Sequence, residues 1–134
     1  MFNRHTFASQ LIFISYGLIS WLGMIVHNWV ELPRMSLLRP EYLIPTGIYI
    51  ILLSGWYFQP VYRRLWTGLF ILWAAIQLVV GAGLSVLPLS IWPFYPEQSL
   101  RHYSAHVFYG LTQVPLLWCL ASEFRSAKSS NRTK

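Results

Sequence analysis

Residues 65–87 read LWTGLFILWAAIQLVVGAGLSVL, a stretch without one charged side chain. At about 1.5 Å of rise per helical residue it covers the roughly 30 Å of hydrocarbon in a bilayer, and so predicts a membrane helix. Three more charge-free stretches accompany it: residues 7–26, 42–58 and 103–122. All four are continuously apolar, whereas strands of a membrane barrel alternate between apolar and polar residues. Helices and closed barrels are the structures that satisfy every backbone group in lipid, so the expected fold is all-α. It is a four-transmembrane-helix bundle with helices over 7–27, 42–58, 65–87 and 97–122, in one domain spanning 1–124. The whole chain of 134 residues is 55% hydrophobic, 17% aromatic and 10% charged, far from the composition of a soluble domain.

Charge gives an orientation. Arg4, Arg63, Arg64, Arg125, Lys128, Arg132 and Lys134 fall on one side of the expected helices, and Arg34, Arg39 and Arg101 on the other. Basic residues collect in cytoplasmic loops, which places a multi-pass protein in the cell membrane with both termini cytoplasmic. The net charge of +6 is then a signal of topology. Every basic cluster is tied to a membrane edge, which argues against nucleic acid as a partner and for anionic lipid at the cytoplasmic end. The basic segment 125–134, rich in Ser, Lys, Arg and Asn, is expected to be disordered. The first apolar run follows Arg4 like a signal peptide, but it is long for one and no small-x-small cleavage site follows, so it reads as a retained helix.

The connections differ. Gln59–Arg64 is short and makes the second and third helices antiparallel neighbours, with Trp56, Tyr57, Tyr62 and Trp66 as an interfacial belt. The two outer connections resemble each other: Glu31-Leu-Pro33 precedes Pro40-Glu41, and Val86-Leu-Pro88 precedes Pro96-Glu97. This suggests two repeated helical hairpins. The second outer connection, Pro88 to Pro96, is apolar and proline-rich, and is expected to lie in the interface before helix four, as a lid over the outer mouth. Gly81, Gly83 and Ser85 offer a small face for close helix approach. Pro115 and Pro45 interrupt the hydrogen-bond ladders of helices four and two.

Chemistry concentrates at one end. His102, His106, Tyr109 and Gln113 recur at i, i+4, i+7 and i+11, one stripe of helix four, and His27 and Glu31 stand one turn apart at the end of helix one. A polar group turned toward lipid costs on the order of 2–7 kcal/mol, so the stripe should face the bundle. Gln77 lies at the depth of Gln113 and is its expected partner. Glu41 and Glu97 suit helix starts, where the dipole favours an anion. Glu31 ends a helix, where the dipole disfavours one, and needs a partner among Arg34, Arg39, His27 and His102. Imidazole and carboxylate from His27, Glu31, His102 and His106 form a set suited to a transition metal. Alternatively, His27 with His102 or His106 supplies axial ligands to haem.

Other chemistries find no support. The chain has no aspartate, and its single cysteine, Cys119, lies at the opposite end from the histidines, reading as a small buried residue. One cysteine cannot form an internal disulfide. Gly81-Ala-Gly83 has no following lysine, so it is no phosphate loop.

The motifs Ser85-Val-Leu-Pro88-Leu, Pro93-Phe-Tyr-Pro96-Glu97-Gln98, His102-Tyr103, His106, Tyr109-Gly110-Leu-Thr-Gln113-Val-Pro115 and His27-Asn28 with Glu31 resemble those of a group of small, functionally uncharacterised bacterial four-helix membrane proteins. That resemblance implies the fold and an inner-membrane location, and no activity. The His27-x-x-x-Glu31 pair alone is similar to a motif of the emopamil-binding sterol isomerase group, which implies acid–base chemistry by Glu31. Three functions follow as expectations. The first is a noncatalytic accessory or assembly subunit, bound to a membrane-protein partner or to a second copy of itself. The second is a binder of metal, haem or a quinone-like ligand through His27, Glu31, His102, His106, Tyr109 and Gln113. The third is an enzyme on lipid or isoprenoid using Glu31 or His106 as acid or base.

Overall fold

The computed structural model describes residues 7–32, 36, 38–92 and 95–130, with side chains at 8–32, 36, 38–92 and 95–125. Four helices follow in order: α1 (Phe7–Glu31), α2 (Pro40–Phe58), α3 (Arg63–Ile76) and α4 (Leu100–Ser130). A 3₁₀ turn, Pro60–Tyr62, leads into α3; a π-helical stretch, Gln77–Gly83, and a second 3₁₀ turn, Leu84–Val86, continue it. Among the described residues there is no strand.

Two stretches are long and apolar enough to cross a membrane: Ala8–Glu31, with 24 residues, and Pro60–Val86, with 27. Both exceed the about 20 residues that the hydrocarbon layer requires. In α2 the apolar run is diluted by Tyr42, Pro45, Tyr49, Trp56 and Tyr57, and in α4 by its histidines and glutamine. Apolarity alone does not mark these two as spans.

Helix ends differ from expectation for local reasons. α1 runs one turn past residue 27 to Glu31. α4 starts at Leu100 instead of 97, because Ser99 caps it: its hydroxyl accepts from the His102 amide at 3.3 Å. At its far end the helical backbone reaches Ser130, so 125–130, expected to be disordered, continue the helix. Nothing between Glu123 and Ser130 is a glycine or proline that would stop it. The third helix is no single α-helix over 65–87 but changes to π geometry at Gln77, where the Leu84 amide reaches back to the Val79 carbonyl. Within the hairpin comparison α1 has no equivalent of this change, so the hairpins differ in helix geometry.

The helices form a ring, α1 touching α2 and α4, and α3 touching α2 and α4, with the α1–α4 interface the most extensive. Close approach depends on glycine at two places. A Cβ at Gly23 would stand 1.9 Å from the Thr112 hydroxyl oxygen, and one at Gly55 would stand 2.4 Å from the Trp66 ring. Rings meet in the middle: Phe13 of α1 stacks on Trp56 of the neighbouring α2 at 3.9 Å between centroids and meets Phe70 of the diagonal α3 edge-on at 5.7 Å. With Leu116 and Leu120 these rings fill the half of the bundle nearer Arg63. Trp56 is thus fully buried and leaves the interfacial belt, while Tyr57 and Tyr62 stay exposed. The proline-rich connection folds back on the end of α3, the Trp92 indole donating to the Leu84 carbonyl at 3.3 Å and Gln98 to Val86 at 3.3 Å. Pro93 and Phe94 of that segment, and Pro33 and Arg34 of the first outer connection, lie outside the described residues.

Candidate metal centre

α1 and α4 run antiparallel, and their stripes match step for step. Glu31 meets His102, His27 meets His106, Met24 packs with Tyr109, and Ser20 meets Gln113. Both series advance by four, three and four residues, so each pair falls on the facing sides of the two helices. His102 and His106 are 5% exposed, Tyr109 3% and Gln113 0%: the stripe of α4 faces inward throughout.

The top layer holds Glu31, His102, His106 and His27. His102 donates through Nδ1 to the Glu31 carboxylate, the partner that Glu31 requires at its helix end. Nearby, Arg101 donates to the Val30 carbonyl at 3.1 Å, a cation on the negative end of α1. His106 and His27 face each other through their Nε2 atoms at 3.2 Å, and His27 stacks on Tyr109 at 4.9 Å. The His106 ring also approaches Ala82 of the π-helical stretch.

Proton positions follow from one backbone carbonyl. The Asn28 amide nitrogen donates to the Glu41 carbonyl at 3.0 Å, so its oxygen is turned to His27 Nδ1, 3.1 Å away. With neutral rings, His27 carries its proton on Nδ1 and accepts at Nε2, which leaves the proton of His106 on Nε2 and a bare lone pair on Nδ1. His102, donating from Nδ1, has its lone pair on Nε2. These two nitrogens and Glu31 Oε1 are buried without a hydrogen-bond partner. They are three polar atoms buried side by side without a hydrogen bond, a costly arrangement in a low-dielectric interior.

A metal ion would supply what such a group lacks. Glu31, His102 and His106 each offer a ligand atom, and the three atoms lie within 4.8 Å of one another. Bonds of about 2.0–2.2 Å place tetrahedral or octahedral ligands roughly 3–4 Å apart, a small contraction from this arrangement. Two imidazoles and one carboxylate suit zinc or iron(II) and leave further positions open. His27 and Asn28 would then form the outer support that fixes the orientation of His106. Haem does not fit. His27 and His106 touch ring to ring, His106 packs against His102 as well, at 4.4 Å, and one turn deeper Gly23 leaves no space beside Thr112. A macrocycle has no plane to occupy between these rings.

The remaining sequence candidates go elsewhere. Gln113 belongs to a deeper layer, where its side-chain oxygen accepts from Ser20 and from the Tyr49 hydroxyl at 3.3 Å, and its nitrogen donates to the Ser20 carbonyl at 3.2 Å. Gln77, its expected partner, lies beside Tyr49 instead, with its amide nitrogen unpartnered. Glu97 pairs with Arg101 at 2.8 Å on the surface, and the Ser99 hydroxyl and that guanidinium hold its carboxyl below the usual range. Sequence reasoning named Asn28 only as part of the His27-Asn28 motif, without a role, and missed Ser20 and Tyr49. Ser20 was findable: Ser20, Met24, His27 and Glu31 repeat the spacing of the α4 stripe. Compared with protein families, with curated proteins and with solved structures, the chain matches none.

Proposed function

We propose that this chain is a multi-pass membrane protein that binds a divalent first-row metal ion at its outer end through Glu31, His102 and His106, with His27 and Asn28 in support. The observation that carries the reading is that Glu31, His102 and His106 can bring one ligand atom each within 4.8 Å of the others, and that each of the three residues also buries a polar atom without a hydrogen bond. Four spans are supported by the surface, since every helix exposes large apolar side chains: Leu11 and Leu22 on α1, Ile50 and Ile51 on α2, Leu72 and Val79 along the α3 segment, Val107 and Leu111 on α4. Such faces belong against hydrocarbon. A bilayer accounts for them without a protein partner, so the accessory-subunit reading has no separate support. The charge distribution favours cytoplasmic termini and an outward-facing metal site.

Cobalt(II) tests the site by its own absorption spectrum. Full-length protein in lipid nanodiscs should bind cobalt with the ligand-field bands of a low-coordinate N/O site, and zinc should displace it. Glu31→Gln and His102→Ala should each weaken binding at least tenfold. Bands that are absent, or unchanged in both variants, contradict the proposal.

A further inference from the structure

Beside the metal centre an apolar groove of about 280 Å³ runs between the π-helical stretch and α4. Its walls are Leu78, Ala82, Gly83 and Val86 on one side and Tyr103, Val107 and Gly110 on the other, and its one imidazole is His106. Tyr103, His106, Val107 and Gly110 step along one face of α4, so the groove leads from the histidine end toward the middle of the bundle. Val107 on its rim is exposed, and its α3 wall belongs to a stretch able to cross a membrane. Whatever enters from there arrives from hydrocarbon, not from water.

We infer that the groove holds the apolar chain of a lipid-soluble amphiphile whose oxygen-bearing head coordinates the metal at His106. This rests on the metal reading above. Three features favour that occupant. Glu31, His102 and His106 leave open metal positions for an oxygen donor. At about 30 Å³ for a water-sized group the groove admits roughly ten methylenes. The helix widens to π geometry at this wall, with Ala82 and Gly83 keeping it low. π-Helical segments are frequent at functional sites for this reason: they re-aim backbone and open space.

The probe is a hydroxamate, which binds metals through two oxygens, in a long form, dodecanohydroxamic acid, and a short form, acetohydroxamic acid. Each is titrated into cobalt-loaded full-length protein in nanodiscs, and the shift of the cobalt bands is read. Gly83→Phe fills the groove without touching the ligands, since a Cβ there meets only the Leu78 carbonyl at 3.5 Å. Val107→Trp fills it from the opposite wall and serves if Gly83→Phe fails to load cobalt. Bulk added at Gly47, which faces open space, is the control. The expected result is a loss of at least tenfold in dodecanohydroxamate affinity on filling the groove, with acetohydroxamate and cobalt affinity unchanged and Gly47→Phe like wild type. Equal affinity for the long probe in filled and unfilled protein, or a change of oligomeric state on filling, overturns the inference while leaving the metal site standing. Failure of wild type to bind cobalt removes both.

Discussion

At the scale of single residues, the account turns on proton bookkeeping around three imidazoles. Asn28 is the anchor, because a backbone carbonyl fixes which way its amide points, and His27 and His106 inherit their tautomers from it. Asn28→Ala removes that constraint without removing a ligand. We expect it to weaken cobalt binding about 10–100-fold, as loss of an outer-shell partner does, with the spectrum retained in saturating metal; a titration in nanodiscs measures this. Glu97→Gln is the contrasting case. Its carboxyl is held low by Ser99 and Arg101, so its contribution to stability is present at neutral pH and lost as pH falls through its folded value. The pair lies on the surface and supplies no ligand, so metal affinity should match wild type and the melting temperature at neutral pH should fall only slightly.

At the scale of helices, two antiparallel stripes make the site, and a steric contact holds them in register. The Thr112 hydroxyl oxygen occupies the space that any side chain at Gly23 would need. Gly23→Leu should cost about 1–3 kcal/mol as an overpacking change, and should also lower metal affinity because ligands come from both helices; thermal unfolding followed by cobalt titration tests both effects. Tyr49→Phe acts on the deeper layer alone. Ser20, Tyr49 and Gln113 share three oxygen contacts and two hydroxyl protons, so removing one hydroxyl should cost about 0.6 kcal/mol, typical of interhelical hydrogen bonds in membranes, and leave metal binding unchanged. Legibility follows the same physics. The α4 stripe was readable because helical periodicity alone brings His102, His106, Tyr109 and Gln113 to one face. The Gln113 partner was not, since depth along a helix says nothing about which of three neighbours faces inward. The π-helical stretch was also hidden, because Gly81-Ala82-Gly83 permits the widened turn while packing against Tyr109 of another helix selects it.

At the scale of the whole molecule, polar and apolar halves are segregated along the bundle axis. Imidazole, carboxylate and amide groups fill one half, and Phe13, Trp56, Phe70, Leu116 and Leu120 close the other. Apolar runs and charge asymmetry predict four membrane helices, yet among the described residues only Ala8–Glu31 and Pro60–Val86 are long and apolar enough by themselves to cross a membrane. α2 and α4 exchange apolarity for the tyrosines, histidines and glutamine that build the interior. The proposed topology predicts that cysteines introduced at Gln59 and at Glu97 of a Cys119→Ser protein label from opposite sides of a sealed membrane, Gln59 from the cytoplasm. Labelling of both from one side would contradict it. The central claim is the metal itself. Elemental analysis of full-length protein purified in mild detergent, without added chelator, should find about one zinc or iron per chain, as a dedicated site requires. The Glu31→Gln, His102→Ala, His106→Ala triple variant, equally folded by circular dichroism, should carry essentially none. Wild type without metal, or a triple variant with as much as wild type, would contradict the account.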